Sequence, residues 1–277
     1  MDYKTVLVIG NGFDLNLGLK TSYDNFMSSS EFNSLENNLL VEHLRKKRTK
    51  NSWIDVENEL TKYSHTVFGR DFISEKKKQH IINLRSEYLN LCSALKLYLD
   101  KQNNESCFPN NMAITALDRA LEAGNTYILT FNYTNTIEFI FKDPSYREYQ
   151  YKINHIHGSL SSNIVFGVED TAKLQKDHIF LHKSYSPNCN NQGVNLIFNG
   201  ADGFIFFGYS LGQTDHSYFD DFFKAQTLPN AKKKYFTFYH YGEDAYDDLI
   251  WQLKILTGNR LSYLKNYNDL KFINIKR

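Results

Sequence analysis

Apolar residues follow two rhythms along the chain. Short uninterrupted runs lie at Thr5–Ile9, 127–131, 153–156, 163–166, 204–207 and 235–239, and each stops at Gly, Asn or His. That pattern predicts six strands buried on both faces of a mainly parallel sheet. Between the first two runs the period changes. Ile81, Leu84, Tyr88, Leu91, Leu95 and Tyr98 step by three and four, which places them on one stripe of a helix. Partner helices are predicted over 26–44 and 53–63, and another over 112–121 with Gly124 closing it. The expected architecture is a single α/β domain over 1–277, its sheet covered on both faces, with a helical insertion over 26–122. Packing within the insertion accounts for the 81–98 stripe better than a coiled-coil partner does.

Composition fits one large α/β fold. The chain has 277 residues, 42% hydrophobic and 23% charged, and is rich in aromatics, with 19 Tyr and 21 Phe. Thirty-two Lys and Arg offset 31 Asp and Glu for a net charge of +1, so no polycationic field favours nucleic acid or an anionic membrane. The Lys-rich stretches at 45–50 and 76–78 read as solvated faces. No apolar stretch reaches the length of a membrane span or a signal peptide. Cys92, Cys107 and Cys189 form no Cys-x-x-Cys pair, so no zinc or redox motif is expected and a reducing cytoplasm is the simplest location.

Candidate chemistry gathers where the runs stop, because ligands of open parallel sheets bind beyond the carboxyl ends of the strands. Gly10-Asn11-Gly12 follows the first run and opens a helix, an arrangement that can hold a phosphate on backbone N–H groups or serve only as a tight strand-to-helix turn. A dehydrogenase fingerprint would need glycine where Leu15 stands. Asn132, after the second run, can orient a ribose hydroxyl or a water but is no base. A titratable partner is available in Asn154-His155-Ile156-His157-Gly158. His157 is the candidate, with Gly158 leaving room for substrate, and can equally be a core histidine bonded to backbone carbonyls, the reading preferred for His155. Gly208 permits close approach, and Ser210 and Asp215 offer groups to a ribose; Thr214 or Asp215 can equally cap a helix. Tyr241 can stack on an adenine. Trp53 and Glu57 share a helix face, and Asp55 and Glu57 are left outside the catalytic set. There is no Ser-His-Asp ordering, no Walker loop and no metal-ligand cluster.

These segments together resemble the AbiH family of bacterial abortive-infection proteins. The likeness runs through Ile9-Gly10-Asn11-Gly12-Phe13-Asp14, Gly18 to Tyr23, Trp53 to Glu57, Phe131-Asn132-Tyr133-Thr134, His155 to Gly158 and Phe207 to Asp215. More distantly, the order of motifs is similar to the Rossmann-like sirtuin NAD-binding fold and to the sirtuin-like NADases of phage defence. The resemblance implies that NAD is the substrate, with Gly10 and Gly12 at its pyrophosphate, Asn132 by the nicotinamide ribose and His157 as base. It brings Asn11, Asp14, Gly208, Ser210 and Asp215 into the binding set, with no metal. Sirtuin-like proteins commonly carry an aspartate where this chain has Thr134, and deacetylases a four-cysteine zinc module that this chain lacks. The implied activity is an antiphage NAD glycohydrolase, triggered by a phage component or by self-association through the helical insertion. Two other classes stay open: a nucleotide sensor that does not hydrolyse, and a nucleic-acid-directed defence protein.

Overall fold

A computed structural model describes residues 3–47, 56–66, 74–102, 111–189 and 193–276. In chain order its elements are β1 (Thr5–Ile9), α1 (Asn11–Asn16), α2 (Tyr23–Met27), α3 (Ser30–Asn33), α4 (Leu39–Lys47), α5 (Val56–Thr66), α6 (Ser74–Gln102) and α7 (Met112–Glu122). They continue with β2 (Thr126–Thr130), α8 (Thr136–Ile140), β3 (Tyr151–His155), α9 (Val194–Gly200), β4 (Gly203–Phe207) and α10 (Asp220–Ala225). The last are β5 (Tyr235–His240), α11 (Gly242–Leu256), α12 (Leu261–Tyr267) and β6 (Asp269–Asn274). They form two compact units: Met1–Leu19, Ser106–Ile156 and Asn190–Arg277 in one, Lys20–Glu105 and His157–Cys189 in the other.

The first unit is built on a six-stranded, wholly parallel sheet in the order β3-β2-β1-β4-β5-β6. Chain direction across the sheet reverses between β1 and β4. Alternate residues supply the two faces. Val6, Val8, Leu129, Phe204, Phe206, Phe236 and Phe238 pack with α9, α10, α11 and α12, in a cluster dominated by phenylalanine rings. Leu7, Ile9, Ile128 and Phe207 pack against α1, α7 and α8 on the other side. Covering both faces explains why β1 and β2 are buried at every position and read as continuous apolar runs. Helix α7 ends at Glu122, with Ala123 as its C-cap and Gly124 following at φ +119°, the expected C-terminal stop.

Two strand assignments need correction. Residues 163–166 form no strand; they belong to a loop of the second unit, where the Val165 N–H donates to the His157 carbonyl at 2.7 Å. The sixth strand is β6, an edge strand whose pattern of exposed and half-buried positions hides it from a search for buried runs.

The second unit is helical. Along α6, Leu84, Tyr88, Leu91, Leu95 and Tyr98 are buried, and Tyr98 meets Phe26 while Tyr88 meets Phe166 and Phe180. The stripe is thus used inside this unit. The single helix expected over 26–44 is broken into pieces: the Ser22 and Ser29 hydroxyls cap α2 and α3 at the Asn25 and Phe32 N–H groups, and Asn37 takes φ +53° before α4. The expected helical segment over 26–122 is divided, since α7 packs on the sheet while 20–105 clusters with 157–189.

Candidate functional site

In-register pairing sets the ends of β1, β2, β3 and β4 in one row: Ile9 lies opposite Thr130 and Phe207, and Thr130 opposite His155. The loops that follow therefore meet. Gly10 N–H donates to the Phe207 carbonyl at 3.1 Å and Gly12 N–H to the Gly208 carbonyl at 2.9 Å, while Phe13 N–H turns back to Gly10. The glycines allow this contact. A Cβ on Gly12 would lie 2.6 Å from the Gly208 Cα, and one on Gly208, which sits at φ +62°, would lie 2.2 Å from the Phe13 nitrogen. In this conformation the N–H groups expected to hold a pyrophosphate bond protein carbonyls instead, and α1 is six residues long.

Asn132 reaches across from β2. Its Nδ2 donates to the Gly10 carbonyl at 3.1 Å, and its own N–H bonds the Thr130 hydroxyl. Beside it stands Asp14, 1% exposed, on the first helical turn after β1. The Thr134 hydroxyl donates to Asp14 Oδ2 at 2.5 Å, and Oδ1 is buried with no hydrogen-bond partner among the described residues. Burial raises the Asp14 carboxyl from its ordinary 3.8 to about 6, against the opposing pull of Thr134, Thr136, Asn132 and the charge of His155. The result is a carboxylate that titrates close to neutrality.

His155, at the end of β3, completes the group. Its Nδ1 lies 3.1 Å from the Asn132 carbonyl and its Nε2 2.7 Å from Glu138 Oε1. Both partners are acceptors, so the ring fills both contacts only when both nitrogens carry hydrogen. The expected backbone-bonded histidine is thus found, with a carboxylate added. Thr134 and Glu138 are the residues that sequence reasoning missed. Thr134 reads as a departure from the sirtuin pattern, and nothing local ties it to a residue 120 positions away.

The remaining candidates lie elsewhere. Ser210 is exposed in the loop after β4. Asp215 lies in a 3-10 turn over Gln213–Tyr218 whose N-cap is Gly212, so neither Thr214 nor Asp215 caps it. His216 anchors this loop, contacting the Leu211 carbonyl and the Gln252 side chain of α11. Tyr241, just past β5, is largely exposed. His157 opens the second segment of the helical unit and is buried. The room expected beside it is filled: a Cβ on Gly158, at φ +69°, would lie 2.0 Å from the Asn163 carbonyl oxygen, so that glycine serves a tight turn. Trp53 and Asp55 fall outside the described residues. Glu57 is buried and pairs with buried Lys183 at 3.0 Å. Among the described residues no group of three His, Cys, Asp or Glu could hold a metal, and no helix is long and apolar enough to cross a membrane.

The family model for bacteriophage abortive infection AbiH matches residues 6–238. The chain belongs to the AbiH family. Membership implies a part in antiphage abortive infection. No curated protein matches the chain. The matched span begins at β1 and closes within β5, so in this AbiH protein it takes in Asp14, Asn132, Thr134, His155 and Glu138.

Proposed function

We propose that this AbiH protein acts in abortive infection by hydrolysing the N-glycosidic bond of NAD. One observation carries the reading: a buried carboxylate that titrates near neutrality, Asp14, is held by Thr134 beside Asn132 where the strand order reverses. In parallel sheets of the order 3-2-1-4-5-6 that reversal is where dinucleotides bind, which also supports a Rossmann-like, sirtuin-like relationship. The absence of an aspartate at position 134 loses its force, because Asp14 brings a carboxylate to the Thr134 hydroxyl from the neighbouring strand end.

In the proposed reaction the bond between ribose C1′ and the nicotinamide nitrogen breaks, and its electron pair neutralises the ring. A water oxygen bonds C1′ and gives up a proton. Asn132 orients the ribose or that water and Asp14 is the acceptor that can take the proton near pH 7; His157, the base that the sirtuin resemblance implies, belongs to the helical unit and is tested separately. The pyrophosphate would lie at Gly10, Asn11 and Gly12, its binding exchanging with the Gly10 and Gly12 bonds to the 207–208 carbonyls, while Ser210 and Asp215 serve the second ribose. Such an activity needs restraint until infection, by a phage-derived trigger or by self-association through the helical segment.

The test follows NAD and nicotinamide in phage-challenged cells and with purified protein, for wild type, Asp14→Asn, Asn132→Ala and His157→Ala. General acid–base assistance is worth about 100-fold or more, so Asp14→Asn should slow nicotinamide release by at least that factor. Equal NAD levels in all four, with protection retained, would reject the reading.

A further inference from the structure

The helical unit holds a cavity of about 440 Å³ that the NAD reading does not use. One wall is a face of α6. Positions 85, 88, 89, 92, 93 and 96 step by three and one, so they share that face, adjacent to the stripe that packs the unit. The other wall is the segment 163–188. Arg85 and Lys96 stand eleven residues apart on the helix, about 16 Å along its axis, and His182 faces them from the loop side.

The charge of this wall is one-sided, since no carboxylate lines it. Arg85 uses a single donor, to the Tyr185 hydroxyl at 3.3 Å, and its guanidinium lies over the Phe180 and Tyr185 rings at 5.7 and 5.8 Å. It has no carboxylate partner among the described residues, so most of its five N–H donors remain for a ligand. Lys96 Nζ donates one hydrogen bond to the Ser162 carbonyl at 2.8 Å. His182 Nδ1 lies 3.0 Å from the Glu169 carbonyl and 3.8 Å from Asp170, which leaves Nε2 for the cavity. Cys92 adds no negative charge, because burial pushes its thiol up to about 12. Four aromatic rings, of Tyr88, Phe166, Phe180 and Tyr185, line it beside aliphatic and neutral polar side chains.

The volume is that of a small-molecule site, for which pockets of roughly 300 to 1,000 Å³ are usual. Cations at both ends select an anion, and flat apolar walls between them select a planar group on the same molecule. We infer that this cavity binds a nucleoside phosphate, with Arg85 on the phosphates, the base against the aromatic wall and Lys96 at the opposite end. The site lies wholly within the helical unit and is independent of the NAD reading.

The test is calorimetric titration of the full chain with each of the four ribonucleoside triphosphates, and with inorganic phosphate and adenosine. Wild type, Arg85→Glu, Ser93→Trp and Asp14→Asn are compared. Arg85 and Ser93 are exposed, so their variants should keep the fold, and unchanged melting curves check this. The expected result is saturable binding of at least one triphosphate, at least tenfold tighter than phosphate or adenosine alone. Binding should weaken at least tenfold in Arg85→Glu, be blocked in Ser93→Trp and persist in Asp14→Asn. No saturation by any triphosphate at about 1 mM, a bound of about 4 kcal/mol, overturns the proposal. So does phosphate competing as well as the triphosphates, or binding that survives both pocket variants and is lost in Asp14→Asn.

Discussion

Asp14 offers the sharpest test of the polar cluster, because its cost to the fold depends on pH. The carboxyl is fully enclosed and burial raises it from 3.8 to about 6. Between those values the folded chain holds a proton that the unfolded chain has released, so stability must fall as pH rises. The loss begins near pH 4 and is complete somewhat above pH 6. Two pH units at about 1.4 kcal/mol each make it about 3 kcal/mol. Asp14→Asn removes the titration while keeping an oxygen that can accept from Thr134. The measurement is urea unfolding of wild type and Asp14→Asn at half-unit steps from pH 4 to 7.5, followed by probes in the sheet. The difference between the two proteins cancels what they share and reports on Asp14, and it should move by about 3 kcal/mol in favour of the asparagine variant as pH rises. A difference that stays flat over that range would mean that the carboxylate is hydrated in solution, and its assignment as a proton acceptor near pH 7 would fall with it.

Two further perturbations test how the site and the helical unit are held. Gly208→Ala places a Cβ 2.2 Å from the Phe13 nitrogen at a backbone φ of +62°, with only backbone nearby, so it should cost at least about 3 kcal/mol by thermal or chemical melting. Gly18→Ala, at φ +92° with nothing within 4 Å, should cost about 1 to 2 kcal/mol from backbone strain alone. Equal losses would contradict the steric argument. In the helical unit, Glu57→Gln or Lys183→Met leaves one buried charge without its 3.0 Å partner and should cost about 3 to 5 kcal/mol. The double variant should recover much of that in unfolding experiments, and additive losses would show that the pair is not coupled.

The legible part of the fold is the part whose physics is local. β1, β2, β4 and β5 announce themselves because a strand buried on both faces must be apolar at nearly every position, and α6 because its buried residues repeat with the helical period. Position in the sheet decides what is lost. β6 lies on an edge, where half its side chains meet solvent, and its sequence Asp-Leu-Lys-Phe-Ile-Asn carries no uninterrupted run. The reverse error occurs at 163–166, where an equally apolar run satisfies its burial by lining a cavity and its backbone by a turn onto His157. An apolar run fixes burial and leaves the bonding pattern open.

The candidate site divides along the same line. Gly10, Gly12, Asn132 and Gly208 were readable as residues at strand ends, and the register of the sheet is what turns separate ends into neighbours. Their roles were not readable. Gly12 and Gly208 are small because two backbones touch there, a requirement that looks the same in sequence as close approach to a phosphate. The bond from Thr134 to Asp14 spans 120 residues, and neither residue type is unusual in its place. Only the pairing of β1 with β2 brings the first helical turn after β1 against the loop after β2, and β3 and β4 then take opposite sides of that pair. The chemistry proposed for this AbiH protein therefore follows from topology: a carboxylate from one strand end and an amide from the next become partners because β1 and β2 pair in register, beside the reversal between β1 and β4.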